Sequence, residues 1–129
     1  HTPLATIPEL RDSLRPGQWI WDVRQEPPNL PIASGQAQTL ACRRVLAVGT
    51  DMGVGKMSAC LELDRACQKR GLRSQFIATG QAGLMIAGDG IPLDAIRVDF
   101  AAGAVEQMVV QHGSDRDIVF VEGQGSLLH

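Results

Sequence analysis

The spacing of apolar positions predicts an α/β domain over the last two thirds of the chain. Residues 44–48 form a short apolar run, which is typical of a strand buried on both faces of a parallel sheet. Helical spacing follows over 55–70, and two further strands are predicted at 74–79 and 117–122. The last strand is preceded by a second helix that ends at Gly113. The apolar face predicted for the first helix consists of Ala59, Cys60, Leu63, Ala66 and Cys67.

The beginning of the chain has a different pattern. A helix is predicted over 6–14, because Thr6 and Glu9 have the spacing of a capping box. Residues 18–24 predict a strand by their β-branched and aromatic content, and its two tryptophans would share a face packed in a core.

Prolines and small residues give 25–39 the composition of an extended linker. We therefore place a domain boundary here, with residues 1–39 as the end of one domain plus the linker and residues 40–129 as the start of the next. The chain begins without methionine and stops directly after a glycine-rich motif, so we expect it to be a segment of a longer polypeptide.

A glycine-rich turn of ten residues separates the first strand of this second domain from the long helix. Such a turn directs backbone N–H groups and a helix N-terminus at one point, where an anion can bind. It departs from the common phosphate loop, because Thr50 stands where the first glycine is usual and Gly49 lies one residue earlier. The predicted phosphate-binding residues are Gly49, Thr50, Asp51, Met52, Gly53, Val54, Gly55, Lys56, Met57 and Ser58.

The residue after the loop lysine usually carries a hydroxyl that ligates Mg²⁺, but here it is Met57. Ser58 is the next hydroxyl, and one residue on a helix corresponds to a rotation of about 100°. The last predicted strand ends in Glu122, where phosphate-loop proteins place an acidic residue that holds Mg²⁺ or a water. We therefore predict a weak or absent metal site, with Glu122 and Ser58 as its ligands.

Composition excludes several classes of function. The chain has 129 residues, 44% of them hydrophobic and 20% charged, with a formal net charge of −2, which gives no reason to expect binding to nucleic acid or to a membrane. Three cysteines without metal-ligand spacing argue against a disulfide framework or a zinc site, and favour a reducing cytoplasm. We expect a soluble protein that binds a small molecule.

The segments Gly49–Asp51, Val54–Lys56 and Val121–Gly123 resemble dethiobiotin synthetase and its relatives, whose phosphate loop is lengthened in the same way. In that family the lysine is followed by threonine, so Met57 is a departure. A second resemblance, to the DgcN-type family, includes the methionine. It extends over 49–58, 76–81, 86–92, 99–104 and 121–129.

The DgcN-type resemblance implies a P-loop NTPase-like parallel sheet flanked by helices, preceded by the end of a small Rossmann-like N-terminal domain. It also implies a D-glutamate N-acetyltransferase, or a paralogue acting on a related amino acid, with acetyl-CoA as donor. The phosphates of coenzyme A need neutralisation but no hydrolysis, which suits a loop that lacks the hydroxyl. The catalytic candidates are Lys56, Glu122 and Asp51, and the candidates for acceptor binding are Gly80, Gln81, Gln124, Ser126 and His129.

Two alternatives remain open at the level of sequence. One is a carboxylate-amine ligase of the dethiobiotin synthetase type, with Asp51, Ser58 and Glu122 around Mg²⁺ and with ATP as substrate. The other is a nucleotide-binding domain without catalysis. The sequence does not identify the amine acceptor, and it leaves open whether the chain forms a homo-oligomer.

Overall fold

The computed structural model describes residues 2–127, and within them three parallel strands form one sheet flanked by helices. The strands follow the order β1-β3-β2, so β3 pairs with both of the others. Because all three strands are parallel, their carboxyl ends meet at one edge of the sheet. The predicted α/β class is confirmed. The strands are β1 (Arg43–Ala47), β2 (Ser74–Ile77) and β3 (Ile118–Glu122), and the helices are α1 (Pro8–Asp12), α2 (Lys56–Lys69), α3 (Gln81–Ala87) and α4 (Val98–Gly113).

The core lies on both faces of the sheet, because successive residues of β2 and β3 point to opposite sides. Ile77, Val119 and Val121 pack in one cluster with the buried face of α4. Phe76 and Phe120 belong to a second cluster, which includes residues of α2 and α3. The sheet is therefore covered by α4 on one face and by α2 with α3 on the other.

Strand β1 is not buried on both faces, contrary to prediction. Val45 is 38% exposed and Leu46 is 59% exposed. Within residues 2–127 the strand pairs with β3 alone, so β1 forms an edge of the sheet. An apolar run shows that a strand is suited to burial, whereas strand order decides whether neighbours cover it.

Helix α2 lies where predicted, but its buried face is rotated. Leu63 is 48% exposed, whereas Met57 and Leu61 pack against the second core cluster together with Cys60 and Cys67. Asp64 lies at helical spacing within this face, and its carboxylate accepts a hydrogen bond from Ser74 Oγ at 2.6 Å. Because this hydrogen bond to β2 allows a polar side chain on the buried face, the pattern of apolar residues alone did not predict that face correctly.

The N-terminal predictions are wrong in three respects. Thr6 does not cap α1, because the helix begins at Pro8 after Ile7 and the Thr6 hydroxyl donates to the carbonyl of Pro3. Residues 18–24 form no strand in the described chain. Their tryptophans are exposed, Trp19 at 70%, and the two rings lie 6.1 Å apart. Trp21 is 41% exposed, so the predicted packing of the two rings in a core is wrong.

The predicted linker is docked on α4. Glu106 accepts hydrogen bonds from the backbone N–H groups of Ser34 and Ala37. Leu30 packs against the first core cluster, and the Pro31 carbonyl lies directly over Gly103. A segment rich in prolines and small residues can therefore be held in one position when a side chain of a helix accepts hydrogen bonds from its backbone. The domain boundary itself stays a prediction.

Of the two cysteines predicted on the apolar face of α2, Cys60 is buried and Cys67 is half-buried. Cys42, for which no burial is predicted, is buried as well. All three thiols are free. Across the described part of the chain, no helix combines the length and the apolar character needed to cross a membrane.

Candidate functional site

The glycine-rich turn between β1 and α2 depends on its glycines. Gly53 and Gly55 have positive φ angles of 69° and 96°, a backbone region that other residues rarely adopt. At Gly49, an added Cβ would lie 2.6 Å from Cγ2 of Val54. Glycine at the end of β1 therefore permits the loop to fold back over the strand.

The N-terminus of α2, which follows the loop directly, has no side-chain cap. In the described chain, Gly55 precedes the helix without a side-chain cap, and the first turn contains no acidic residue. The N–H groups of this turn have no intrahelical acceptors, and the positive end of the helix dipole lies beside them. This arrangement favours an anion.

A cavity of about 360 Å³ lies in front of this helix end, and we call it the loop cavity. It brings together the phosphate loop, the start of α3 and the turn that follows β3. Its lining residues are Met52, Gly53, Gly55, Lys56, Met57, Ser58, Ala82, Glu122, Gly123, Gln124 and Gly125.

Lys56 connects two sides of the loop cavity. Its Nζ donates hydrogen bonds to the carbonyl oxygen of Asp51 at 2.9 Å and to that of Gly125 at 2.8 Å. Neutral carbonyls are weaker partners for an ammonium group than an anion is. A phosphate entering the cavity can therefore draw Lys56 away from both.

Glu122 is buried and joins β3 to the beginning of α3. Its Oε2 accepts hydrogen bonds from the backbone N–H of Thr79 at 3.0 Å and of Gly80 at 3.2 Å. An added Cβ at Gly83 would lie 2.6 Å from the same oxygen, so glycine at this position leaves room for the carboxylate. The side chain is thus held in one place at the wall of the loop cavity.

Thr79 is a residue of this site that the sequence did not identify. Its hydroxyl donates to the backbone carbonyl of Glu122 at 2.6 Å and accepts a hydrogen bond from Nε2 of Gln124 at 3.0 Å. Thr79 is 1% exposed. Thr79 follows the carboxyl end of β2, and β2 is the neighbour of β3 in the sheet. The sequence could have indicated that Thr79 lies near Glu122 only if the order of the strands had been known.

In the part of the chain that the structure describes, the candidate metal ligands do not form a metal-binding cluster. Ser58 and Glu122 both line the loop cavity, whereas Asp51 is outside its lining and accepts a hydrogen bond from the N–H of Met52. Within residues 2–127, no group of three or more His, Cys, Asp and Glu side chains is close enough to hold an ion. Met57 is partly turned toward the core cluster under α2. The assignment of Ser58 and Glu122 as ligands of a weak metal site stays a prediction.

The remaining predicted site residues are spread over three places. Thr50 is exposed on the loop and lies outside the lining of the loop cavity. The Gln81 side chain turns to Asp94, which accepts its hydrogen bond at 2.7 Å and forms an ion pair with Arg24. Ser126 lines the second cavity described below. His129 lies outside the described residues.

The second cavity, which we call the apolar cavity, has a volume of about 520 Å³ and lies between α4 and the carboxyl edge of the sheet. Most of its wall is aliphatic, with contributions from β1, β3 and α4. Its polar side chains are confined to Thr79, Glu122, Gln124 and Ser126, within the lining that the structure describes.

Cys60 is close to the site but unsuited to nucleophilic chemistry. It is 1% exposed, and burial raises the pKa of its thiol, with a further increase from the negative charge of Glu122. A thiol that stays protonated is a weak nucleophile, so this cysteine is a core residue.

The sequence model of a family described as a domain of unknown function, the DUF1611 C-terminal P-loop domain, matches residues 31–129. A D-glutamate N-acetyltransferase from Tritonibacter scottomollicae is 46% identical over 114 residues, which are 88% of this chain and 33% of that protein. A second D-glutamate N-acetyltransferase, from Pseudoalteromonas, is 37% identical over 100% of this chain and 38% of its own length.

The chain is also similar to a solved structure, that of a DUF1611 family protein from Anabaena variabilis. The TM-score is 0.95 at 66% sequence identity, over 99% of this chain and 37% of the other. The chain thus spans between 33% and 38% of the length of these relatives. Activities named for the complete relatives therefore bear on this chain as hypotheses.

Proposed function

The chain belongs to the DUF1611 family through its P-loop domain, and from this premise we propose that it is part of an N-acetyltransferase. The donor we propose is acetyl-CoA, and the acceptor is the amine of a D-glutamate-like amino acid. Support comes from the two relatives named D-glutamate N-acetyltransferase, at 46% and 37% identity.

One structural observation carries the proposal. The loop cavity joins an uncapped helix N-terminus and Lys56, which suit phosphate, to a buried carboxylate, Glu122. Coenzyme A carries phosphates that must be bound but not cleaved. A loop in which Met57 replaces the usual hydroxyl fits that requirement.

The residues of the loop cavity can take distinct roles in the transfer. The backbone of 52–58 and Lys56 hold the donor by its phosphates. When bound, acetyl-CoA supplies a thioester whose carbonyl carbon forms the new bond to nitrogen while the carbon–sulfur bond breaks. Glu122 accepts the proton that the neutral amine loses, and the same proton then passes to the departing sulfur, which leaves as the thiol. Gln124 and Gly80 lie beside the carboxylate, where they can orient the acceptor.

The competing hypothesis is an ATP-dependent ligase, because Ser58 and Glu122 both line the loop cavity and could approach a Mg²⁺–nucleotide complex. Calorimetric titration of the full-length protein separates the two hypotheses. Acetyl-CoA binding that EDTA leaves unchanged, together with acetylation of D-glutamate, is the expected result. Tight ATP binding that requires Mg²⁺ and releases ADP would overturn the proposal.

A further inference from the structure

The start of α3 is held by a network of polar side chains that line neither the loop cavity nor the apolar cavity. Asp94 lies in a short 3-10 helix, Leu93–Ala95, and its Oδ2 accepts a hydrogen bond from Nε2 of Gln81 at 2.7 Å. The same Oδ2 forms an ion pair with Nε of Arg24 at 2.9 Å. One carboxylate oxygen therefore joins the first residue of α3 to an arginine of the N-terminal segment. We call Arg24, Gln81 and Asp94 the α3 network.

The two residues that precede α3 hold the carboxylate of Glu122. The backbone N–H groups of Thr79 and Gly80 both donate to its Oε2. Among the described residues, Oε1 of Glu122 accepts no hydrogen bond, so these two donors are what anchors the carboxylate. Gly80 is bonded directly to Gln81, and a displacement of Gln81 therefore moves one of the two donors. The position of the carboxylate depends on where the chain enters α3.

The short 3-10 helix contacts the chain before α3 through its backbone as well. The N–H of Leu93 donates to the carbonyl oxygen of Thr79 at 3.0 Å, next to the side-chain contact of Asp94. The side chains of Arg24 and Asp94 are 45% and 43% exposed. Ion pairs exposed to this extent contribute little to stability. The α3 network should therefore affect the position of residues 79–81 more than the free energy of unfolding.

We propose that the α3 network positions Glu122 for proton transfer, and that Gln81 acts through Asp94 rather than on the acceptor. This inference rests on the proposed function, since it takes Glu122 as the proton acceptor. A displacement of about 1 Å at a reacting group can slow a reaction by about a hundredfold. A half-exposed network that fixes the donors to Glu122 can thus matter for turnover while contributing little to the fold.

The α3 network also connects the N-terminal segment to the site. Arg24 is followed closely by Glu26, which accepts hydrogen bonds from the backbone N–H of Arg97 at 2.8 Å and from its guanidinium at 2.7 Å. Arg97 directly precedes α4. Two ion pairs therefore attach residues 24–26 beside the starts of α3 and α4. The N-terminal segment can influence Glu122 in this way without lining the loop cavity.

Asp94→Ala in the full-length protein removes the centre of the network, and Gln81→Ala removes its connection to α3. Asp94→Asn is the conservative variant, because an amide oxygen in the place of Oδ2 can still accept the hydrogen bond of Gln81. Asp117→Ala is the matched control. Asp117 is also a partly exposed aspartate paired with an arginine, but it directly precedes β3, at the opposite end of that strand from the site.

We expect kcat for acetyl transfer to D-glutamate to fall by about tenfold to a hundredfold in Asp94→Ala and in Gln81→Ala. KM for D-glutamate should change by less than about twofold, because neither side chain contacts the acceptor. The double variant should lose no more than either single variant, since both substitutions remove the same hydrogen bond. Asp94→Asn and Asp117→Ala should keep kcat within about twofold of the unmodified protein.

Amide hydrogen exchange provides a readout that does not depend on turnover. The N–H groups of Thr79 and Gly80 should exchange about tenfold faster in Asp94→Ala, because a loosened start of α3 opens their hydrogen bonds to Glu122 more often. Their exchange in Asp117→Ala should match that of the unmodified protein. Acceleration confined to Asp94→Ala, together with the loss of kcat, supports the inference.

Any of four results would overturn the inference. A raised KM for D-glutamate in Gln81→Ala alone would show that Gln81 contacts the acceptor. Normal kcat in Asp94→Ala, or unchanged exchange of Thr79 and Gly80, would show that the network does not position Glu122. Equal loss of kcat in Asp117→Ala would show a general effect of lost ion pairs.

The proposed function is tested separately by the unmodified protein. If this protein acetylates D-glutamate and one of the four results is found, the proposed function stands without the inference. If it does not acetylate D-glutamate, the proposed function falls, and the exchange rates of Thr79 and Gly80 alone decide whether the network positions the carboxylate.

Discussion

The Nζ of Lys56 donates a hydrogen bond to the carbonyl oxygen of Gly125 at 2.8 Å, across 69 residues of sequence. This contact joins the phosphate loop to the turn that follows β3. Leu127 reinforces the connection, since its N–H donates to the carbonyl of Gly49 at 3.0 Å. An anion that binds Lys56 therefore lies next to both the phosphate loop and the turn.

Lys56→Ala tests whether this lysine holds the phosphates. Because an ammonium contact to phosphate contributes about 1.5–3 kcal/mol, we expect affinity for acetyl-CoA to fall by about tenfold to a hundredfold. The bonds that Lys56 makes now are to neutral carbonyls, so the melting temperature should change little. Lys69→Ala is the control, since Lys69 is exposed in the last turn of the same helix. Unchanged affinity in Lys56→Ala would remove the lysine from the site.

Glu122→Gln separates the proposed proton acceptor from the structural role of the same side chain. A glutamine oxygen can still accept from the N–H groups of Thr79 and Gly80, so the fold and acetyl-CoA binding should be retained. A neutral amide cannot take the proton of the amine, and we expect the transfer rate to fall by about a hundredfold or more. Circular dichroism and a steady-state transfer assay measure the two effects. A variant with normal turnover would exclude Glu122 as the base.

Thr79→Val tests the hydroxyl that connects Glu122 to Gln124. Valine has a similar shape but loses both hydrogen bonds at a buried position, so the free energy of unfolding should decrease by about 1–3 kcal/mol. Thr79→Ser retains the hydroxyl and should lose about 1 kcal/mol or less. Urea denaturation provides the comparison. Equal losses in the two variants would show that the methyl group, rather than the hydroxyl, matters at this position.

Gly103→Ala tests the docking of the 30–37 segment on α4. An alanine Cβ would collide with the carbonyl oxygen of Pro31, which forces the backbone to move and should destabilise the fold by about 1–3 kcal/mol. Helix propensity alone predicts the opposite sign, a gain of about 1 kcal/mol. The sign of the change in the unfolding free energy therefore decides whether the segment stays docked in solution.

Low pH should weaken two attachments, that of the 30–37 segment to Glu106 of α4 and that of Glu26 to Arg97. Hydrogen bonds from Ser34 lower the pKa of Glu106, and the Arg97 side chain lowers the pKa of Glu26, both from an ordinary value of 4.5. A carboxyl whose pKa is lower in the folded state stabilises the fold above the unfolded pKa, and this contribution disappears as pH falls through the folded pKa. We expect the urea midpoint to decrease below pH 4.5, and to decrease less in Glu106→Gln. Parallel pH profiles for the two proteins would contradict a role for Glu106.

Local pattern was sufficient for much of the site. The glycine spacing of the loop, the helix that starts at Lys56 and the carboxylate that ends β3 could all be predicted, because each depends on backbone conformations or periods contained in a few consecutive residues. Helix α4 was also predictable, since its apolar residues recur over several turns. Motifs distributed along the chain further indicated the family.

Strand order and long-range contacts decided the rest. Because β3 lies between β1 and β2, β1 is at the edge of the sheet with Val45 exposed, and Thr79 contacts Glu122. Neither feature can be predicted from a few consecutive residues. The docked 30–37 segment depends on Glu106, about 70 residues away. Sequence alone determined which residues turn and which residues carry charge. Only the tertiary structure decided which of them meet, because contact energies depend on distances between elements that are remote in the chain.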